Sequence, residues 1–137
     1  MMAKSDAVCG VPRSAAKLAL TKCLEFTDTA QDALTSGRWN SAALNAIHAG
    51  IAAADAALVA SAGMRSISPD HGAAVALLVQ QVPEFTAAQR RQLGGLLKMK
   101  NQVAYEQRLL TETEARQLVD QAARLSRWAA DVVSSHS

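Results

Sequence analysis

The 137-residue chain carries 14 basic and 12 acidic side chains, is half hydrophobic, and has only 4% aromatic residues. Its 29 Ala against 7 Gly and 3 Pro exclude collagen-like, disordered and disulfide-scaffold classes. They leave an all-α domain whose small side chains let helices approach closely. No stretch gathers Val, Ile, Thr and aromatics between turns, so a sandwich, barrel or doubly wound sheet is not expected. A net charge of +2 is too mild to mark a nucleic-acid binder by itself.

Residues 1–12 read as a leader, 13–134 as one helical domain and 135–137 as a tail. Pro12 and Ser14 open a helix to about Ser36, with Leu20, Phe26, Ala30 and Leu34 on one face and Gly37 as its stop. A second helix spans Trp39 to Ala62, its Leu44, Ile47, Ile51, Ala54 and Leu58 recurring at steps of three and four, and Gly63 ends it. This stretch is interrupted by Asn45, His48 and Asp55 and rich in Ala, so it does not read as a membrane span. Met64 to Ser68 reads as a loop. Ser68-Pro69-Asp70 then suggests a cap, a Pro in the first turn and an acid on the dipole of a third helix. That helix stops before Pro83.

Thr86 to Gln89 has the form of a capping box and opens a fourth helix carrying Leu93, Leu96, Leu97 and Val103. The Gly94-Gly95 pair inside it costs about 1 kcal/mol per Gly against Ala and points to a bend or a close helix contact. Thr111 to Glu114 is a second capping box, before a helix with Leu118, Ala122, Leu125, Trp128 and Val132. Short connections make neighbouring helices antiparallel, giving a four- to five-helix up-and-down bundle. Cys9 falls in the leader and Cys23 at a core position. With no signal peptide, both are expected as free thiols of a soluble, cytoplasmic protein.

Between Arg90 and Arg108 the chain holds Arg90, Arg91, Lys98, Lys100 and Arg108 against one acid, Glu106. This is a basic surface able to meet phosphates, or a solvated face balancing Glu112, Glu114 and Asp120. On the second helix Asn45, His48 and Asp55 share a stripe. An imidazole and a carboxylate there suit proton transfer, or simply form the polar edge of an amphipathic helix. No second His or Cys stands at ligand spacing, so no metal site is expected. His71 and His136 carry no assigned chemistry. In Lys100-Asn101-Gln102-Val103-Ala104-Tyr105 a cation, an amide and the chain's one phenol fall within one and a half turns, a set that can hold a phosphate or merely end a helix.

These pieces, in this order, resemble the HEPN superfamily. Ser36-Gly37-Arg38-Trp39-Asn40-Ser41-Ala42 is similar to its "G-R-aromatic-x-x-A" opening of helix two, and Asp70-His71-Gly72 to its His-small start of the third segment. Leu96 to Tyr105 resembles its "L-x-x-x-R-N-x-x-x-(His or Tyr)" signature, and Thr111 to Ala115 its "T-x-E-E-A" opening of the last helix. The resemblance spans roughly residues 14–134. It implies a helical bundle, usually dimeric, whose active members are metal-independent ribonucleases using Arg and His. Many are toxins paired with a small nucleotidyltransferase, and others are antitoxin or partner subunits. Carried over by position, Lys100 stands for the Arg, Asn101 for the residue after it and Tyr105 for the His, with His48 as a weaker accessory. Arg90, Arg91, Lys98 and Arg108 would bind RNA or a nucleotide.

Lys lacks the planar fork of Arg, and Tyr, with an ordinary pKa near 10, is a poor base at neutral pH. The resemblance therefore implies a regulatory, antitoxin-like subunit opposite a nucleotidyltransferase, without a cofactor. A degenerate ribonuclease toxin is the alternative, and Tyr105 as a modification acceptor or part of a nucleotide groove is a third reading.

Overall fold

Pro12 holds extended backbone angles before a 3-10 turn over Arg13–Ala15, which runs directly into the first helix; the computed structural model describes residues 8–106 and 108–137. Helix α1 (Ala16–Thr35) buries Ala16, Cys23, Ala30 and Ala33, which repeat at heptad and three-residue steps. Its end is set by Gly37 at φ +74°. Arg38 N donates to Ala33 O (2.9 Å) and Gly37 N to Leu34 O (3.1 Å), the paired bonds that close a helix on a left-handed Gly.

Helix α2 (Trp39–Ala62) is the central element, with 13 of its 24 residues buried, and it packs on all four other helices. Its alanines make this possible, because a helix with small side chains on several sides can be surrounded without being held apart. A close approach to the fourth helix falls at Gly50, where a Cβ would stand 2.6 Å from Leu96 Cδ1. By length and composition α2 is apolar enough to cross a membrane, contrary to the expectation from its three polar interruptions. Yet 72% of its most apolar stretch is buried inside the bundle, so its apolar surface is taken up by the protein's own core.

Gly63, at φ +64°, turns the chain out of α2 into a short strand. Strand β1 (Val8–Gly10) pairs antiparallel with β2 (Met64–Ser66), Cys9 opposite Arg65. Val11 N then donates to Gly63 O at 2.8 Å. The segment expected as a loop is thus a strand, and part of the expected leader is its partner; residues 1–7 of that leader lie outside the described residues. Three-residue strands carry too little periodicity to be read from sequence, and pairing across 54 to 58 positions is what makes them strands.

Helix α3 (His71–Gln81) begins two residues later than the Ser68 cap implies. Asp70 is the cap: it has extended backbone angles and its carboxylate accepts from Gly72 N at 2.9 Å, while Ser68 Oγ accepts only from Asp70 N. Pro83 follows the extended Val82, as a residue before Pro prefers. Helix α4 (Ala87–Tyr105) and helix α5 (Glu112–Ser135) both open on capping boxes. In the first, Gln89 Oε1 accepts from Thr86 N (2.9 Å); in the second, Glu114 Oε1 accepts from Thr111 N (2.9 Å).

The Gly94-Gly95 pair divides its work. A Cβ on Gly94 would meet nothing within 4 Å, whereas one on Gly95 would lie 3.0 Å from the Gln121 side chain of α5. A close contact, at Gly95 alone, is the outcome. Across the α1–α5 seam, Cys23 Sγ lies 3.3 Å and Thr27 Oγ1 2.6 Å from Ser126 Oγ. This buried trio satisfies the polar atoms that the seam encloses, and burial pushes the Cys23 thiol above its ordinary pKa. Both cysteines are free thiols. Trp128 Nε1 donates to Glu84 O, fixing α5 to the α3–α4 connection. The all-α bundle expected from composition is the fold, with the small sheet added at one end.

Candidate functional site

Helix α4 presents two chemically different sides. At 3.6 residues per turn, positions seven apart nearly coincide. Arg91, Lys98 and Tyr105 follow one another at that step, and Gly94 and Asn101 fall between them on the same side. All five are exposed, Tyr105 to 75%. Neither Arg91 nor Lys98 makes an ion pair among the described residues. Gly94 leaves the middle of this stripe without a side chain, so the helix backbone itself is accessible there.

Lys100 is on the other side. It follows the buried Leu93 by seven residues, is itself partly buried, and its charge acts on the imidazole of His71 at the start of α3. Burial and that charge, opposed by Asp70, hold His71 below its ordinary pKa. Lys100 and Tyr105 are five residues apart, roughly 140° around the helix. The structure therefore brings Asn101 and Tyr105 together with Arg91 and Lys98, and separates Lys100 from them. Arg90 is exposed nearby on the first turns of α4.

Arg108, grouped with these cations in sequence, is already engaged. Its guanidinium donates to Glu114 Oε1 at 3.0 Å and to Gln102 Oε1 at 2.8 Å. It thereby ties the end of α4 to the capping box of α5, and the Arg108 hydrogen bond lowers the Glu114 carboxyl to a pKa of about 2. Between these helices Asn40 Oδ1 accepts from Leu110 N at 3.0 Å. The corner bearing Tyr105 and the 77% exposed Leu109 is therefore anchored to α2.

His48 does not join this group. It is exposed on α2, its ring 5.3 Å from that of Phe26 on α1. It lines a cavity of about 360 Å3 with Lys22, Asp55 and Arg65, to which α4 contributes nothing. Its expected stripe partner Asp55 does share that cavity, whereas Asn45 turns back to donate to Ser41 O. Among the described residues no three His, Cys, Asp or Glu side chains gather as a metal site.

No family model and no curated protein sequence matches this chain. Its chemistry is therefore read from its own geometry. Arg65 and Ser66 border a cavity between α2, β2, α3 and α4 that no motif in the sequence marks. Arg65 gives no local signal, because its place depends on the pairing of β1 with β2. Asp55 and His71 stand out in the sequence as polar residues at helical positions, but their sharing of one cavity depends on the packing of two helices.

Proposed function

We propose that the chain is a HEPN-type partner subunit, regulatory and antitoxin-like, of a bacterial toxin–antitoxin or defence pair, acting opposite a nucleotidyltransferase rather than as a ribonuclease. The observation that carries this reading is the division of α4. A phosphate clamp and a phenol that serve one scissile bond must converge within hydrogen-bond reach of it, and Lys100 and Tyr105 of one chain project to different sides. Arg91, Lys98, Asn101 and Tyr105 instead form one open stripe beside exposed Leu109. Cations and an aromatic next to an apolar side chain suit a protein or RNA surface better than a reaction centre.

The test is expression and cleavage together. The chain alone leaves bacterial growth unchanged, relieves arrest by the nucleotidyltransferase it co-purifies with, and leaves single-stranded RNA intact in EDTA. Tyr105→Ala with Lys98→Glu weakens the complex. RNA cleavage in EDTA that disappears in Lys100→Ala or Tyr105→Phe would replace this reading by the ribonuclease toxin. Failure to form any complex would remove the partner role.

A further inference from the structure

A second site lies away from the α4 stripe, and it does not depend on the proposed partner role. Between α2, the β2–α3 connection and the inner side of α4 is a half-open cavity of about 230 Å3. Its wall is aliphatic, formed by Ile51, Ala54, Leu93 and Leu97, and opposite charges border it: Asp55 from α2 and Arg65 from β2. Neither charge has an ion-pair partner within 4.0 Å among the described residues. Burial raises the Asp55 carboxyl above its ordinary pKa, and the charges of Arg65 and then Lys22 partly oppose it, so Arg65 and Asp55 are close enough to feel each other.

Ser66 and His71 also line the cavity, and their Oγ and Nε2 atoms are shielded from solvent and make no hydrogen bond among the described residues. Leaving a buried polar atom unpaired is costly, and two on residues bordering one cavity mark its polar side. The cationic end cannot be an anion site on the α3 N-terminus, because the Asp70 carboxylate already occupies Gly72 N there.

The pattern to be matched is thus a cation and an anion near each other at the edge of one cavity, with aliphatic side chains forming the rest of its wall. The volume falls below the roughly 300–1,000 Å3 of pockets for drug-sized ligands, which limits the occupant to a small metabolite. A ligand bearing only a carboxylate would leave Asp55 repelling it, and one bearing only an amine would leave Arg65 unmatched. We infer that this cavity binds a free α-amino acid with an aliphatic side chain, its ammonium group on the Asp55 carboxylate, its carboxylate on the Arg65 guanidinium, and its side chain on Ile51, Leu93 and Leu97. The ammonium restores the ionised Asp55 that burial disfavours.

Calorimetry and saturation-transfer NMR on the full chain with L-leucine, L-leucinamide and N-acetyl-L-leucine test this. L-Leucine binds saturably with a Kd of about 1 mM or tighter, and removing either charge from the ligand weakens binding about tenfold or more. Arg65→Gln removes the preference for L-leucine over its amide, and Asp55→Asn removes the preference over the N-acetyl form. No saturable binding of L-leucine up to about 10 mM, or equal binding of all three compounds, overturns the proposal. Should Asp55→Asn unfold the protein by circular dichroism, the three ligands on the unaltered chain still decide it. Loss of the partner complex in the growth experiment leaves this result untouched, so the two proposals fail separately.

Discussion

Helices α2 and α4 are built on opposite plans. Helix α2 is closed in by neighbours and carries Ala at nine of its 13 buried positions, so over most of its surface shape is what matters, and its chemistry is confined to the edge that holds His48 and Asp55. Helix α4 buries only Leu93 and Leu96 and turns Arg91, Gly94, Lys98, Asn101 and Tyr105 to solvent. One helix lets its neighbours approach through many small side chains, and the other keeps a polar outer side while two buried leucines hold it. Exposed polar chemistry in this bundle thus lies at the edges of the packing, on the outer side of α4 and along the polar edge of α2, while the interior of α2 carries the constraint.

The contrast is most sharply tested where the two helices touch. Leu96→Ala removes a fully buried side chain and lowers stability by about 2–5 kcal/mol, measured by urea unfolding; a loss under about 1 kcal/mol would mean that the α2–α4 contact is loose. Gly50→Val, on the α2 side of the same contact, adds a branched side chain where a Cβ alone meets Leu96 Cδ1, with the Cδ1 atoms of Leu93 and Leu125 at 3.7 Å. Leu96 is a flexible side chain but is enclosed, so overpacking costs about 1–3 kcal/mol. Thr111→Ala removes the cap of α5 and lowers stability by about 1 kcal/mol, visible as a fall in Tm.

A smaller effect is read by pH. Glu114 is lowered from 4.5 to about 2, first by the Arg108 hydrogen bond and then by Thr111 N. A carboxyl depressed by folding stabilises the folded state fully above its unfolded value near 4.5, and the contribution fades as pH falls from there through about 2. NMR titration of the Glu114 carboxyl shows that low midpoint, and Arg108→Gln moves it upward. Smallest of all in stability are changes on the α4 stripe: Arg91→Gln with Lys98→Gln shifts unfolding by no more than about 0.5 kcal/mol, yet weakens partner or RNA binding. If the same pair destabilised the protein strongly, the stripe would belong to the fold and not to a surface kept for contact.

Much of this was legible in the chain itself. Gly37 and Gly63 stop helices because only a residue without Cβ enters the left-handed region easily, and both do so at φ +74° and +64°. The Thr86–Gln89 and Thr111–Glu114 boxes form because their atoms are three residues apart whatever the rest of the molecule does. The Ser68 cap was misplaced by two residues, since Ser68, Pro69 and Asp70 offer competing local arrangements and the Asp70 carboxylate, the stronger acceptor, takes the Gly72 N–H.

Helix number, order and stops, and the tight Ala packing that 29 alanines imply, were thus determined by sequence alone, because propensity, periodicity and capping act over at most a few turns. Tertiary structure decided which cations are free. Arg108 and Lys98 look alike in sequence, but only Arg108 reaches Glu114 and Gln102. It also turned Lys100 away from Tyr105, converted the loop after α2 into a strand, and set Arg65 against Asp55 beside an aliphatic cavity. Each of these depends on residues far apart in the chain being brought within a few ångströms, and the direction and strength of a charge's interactions are fixed only by what then surrounds it.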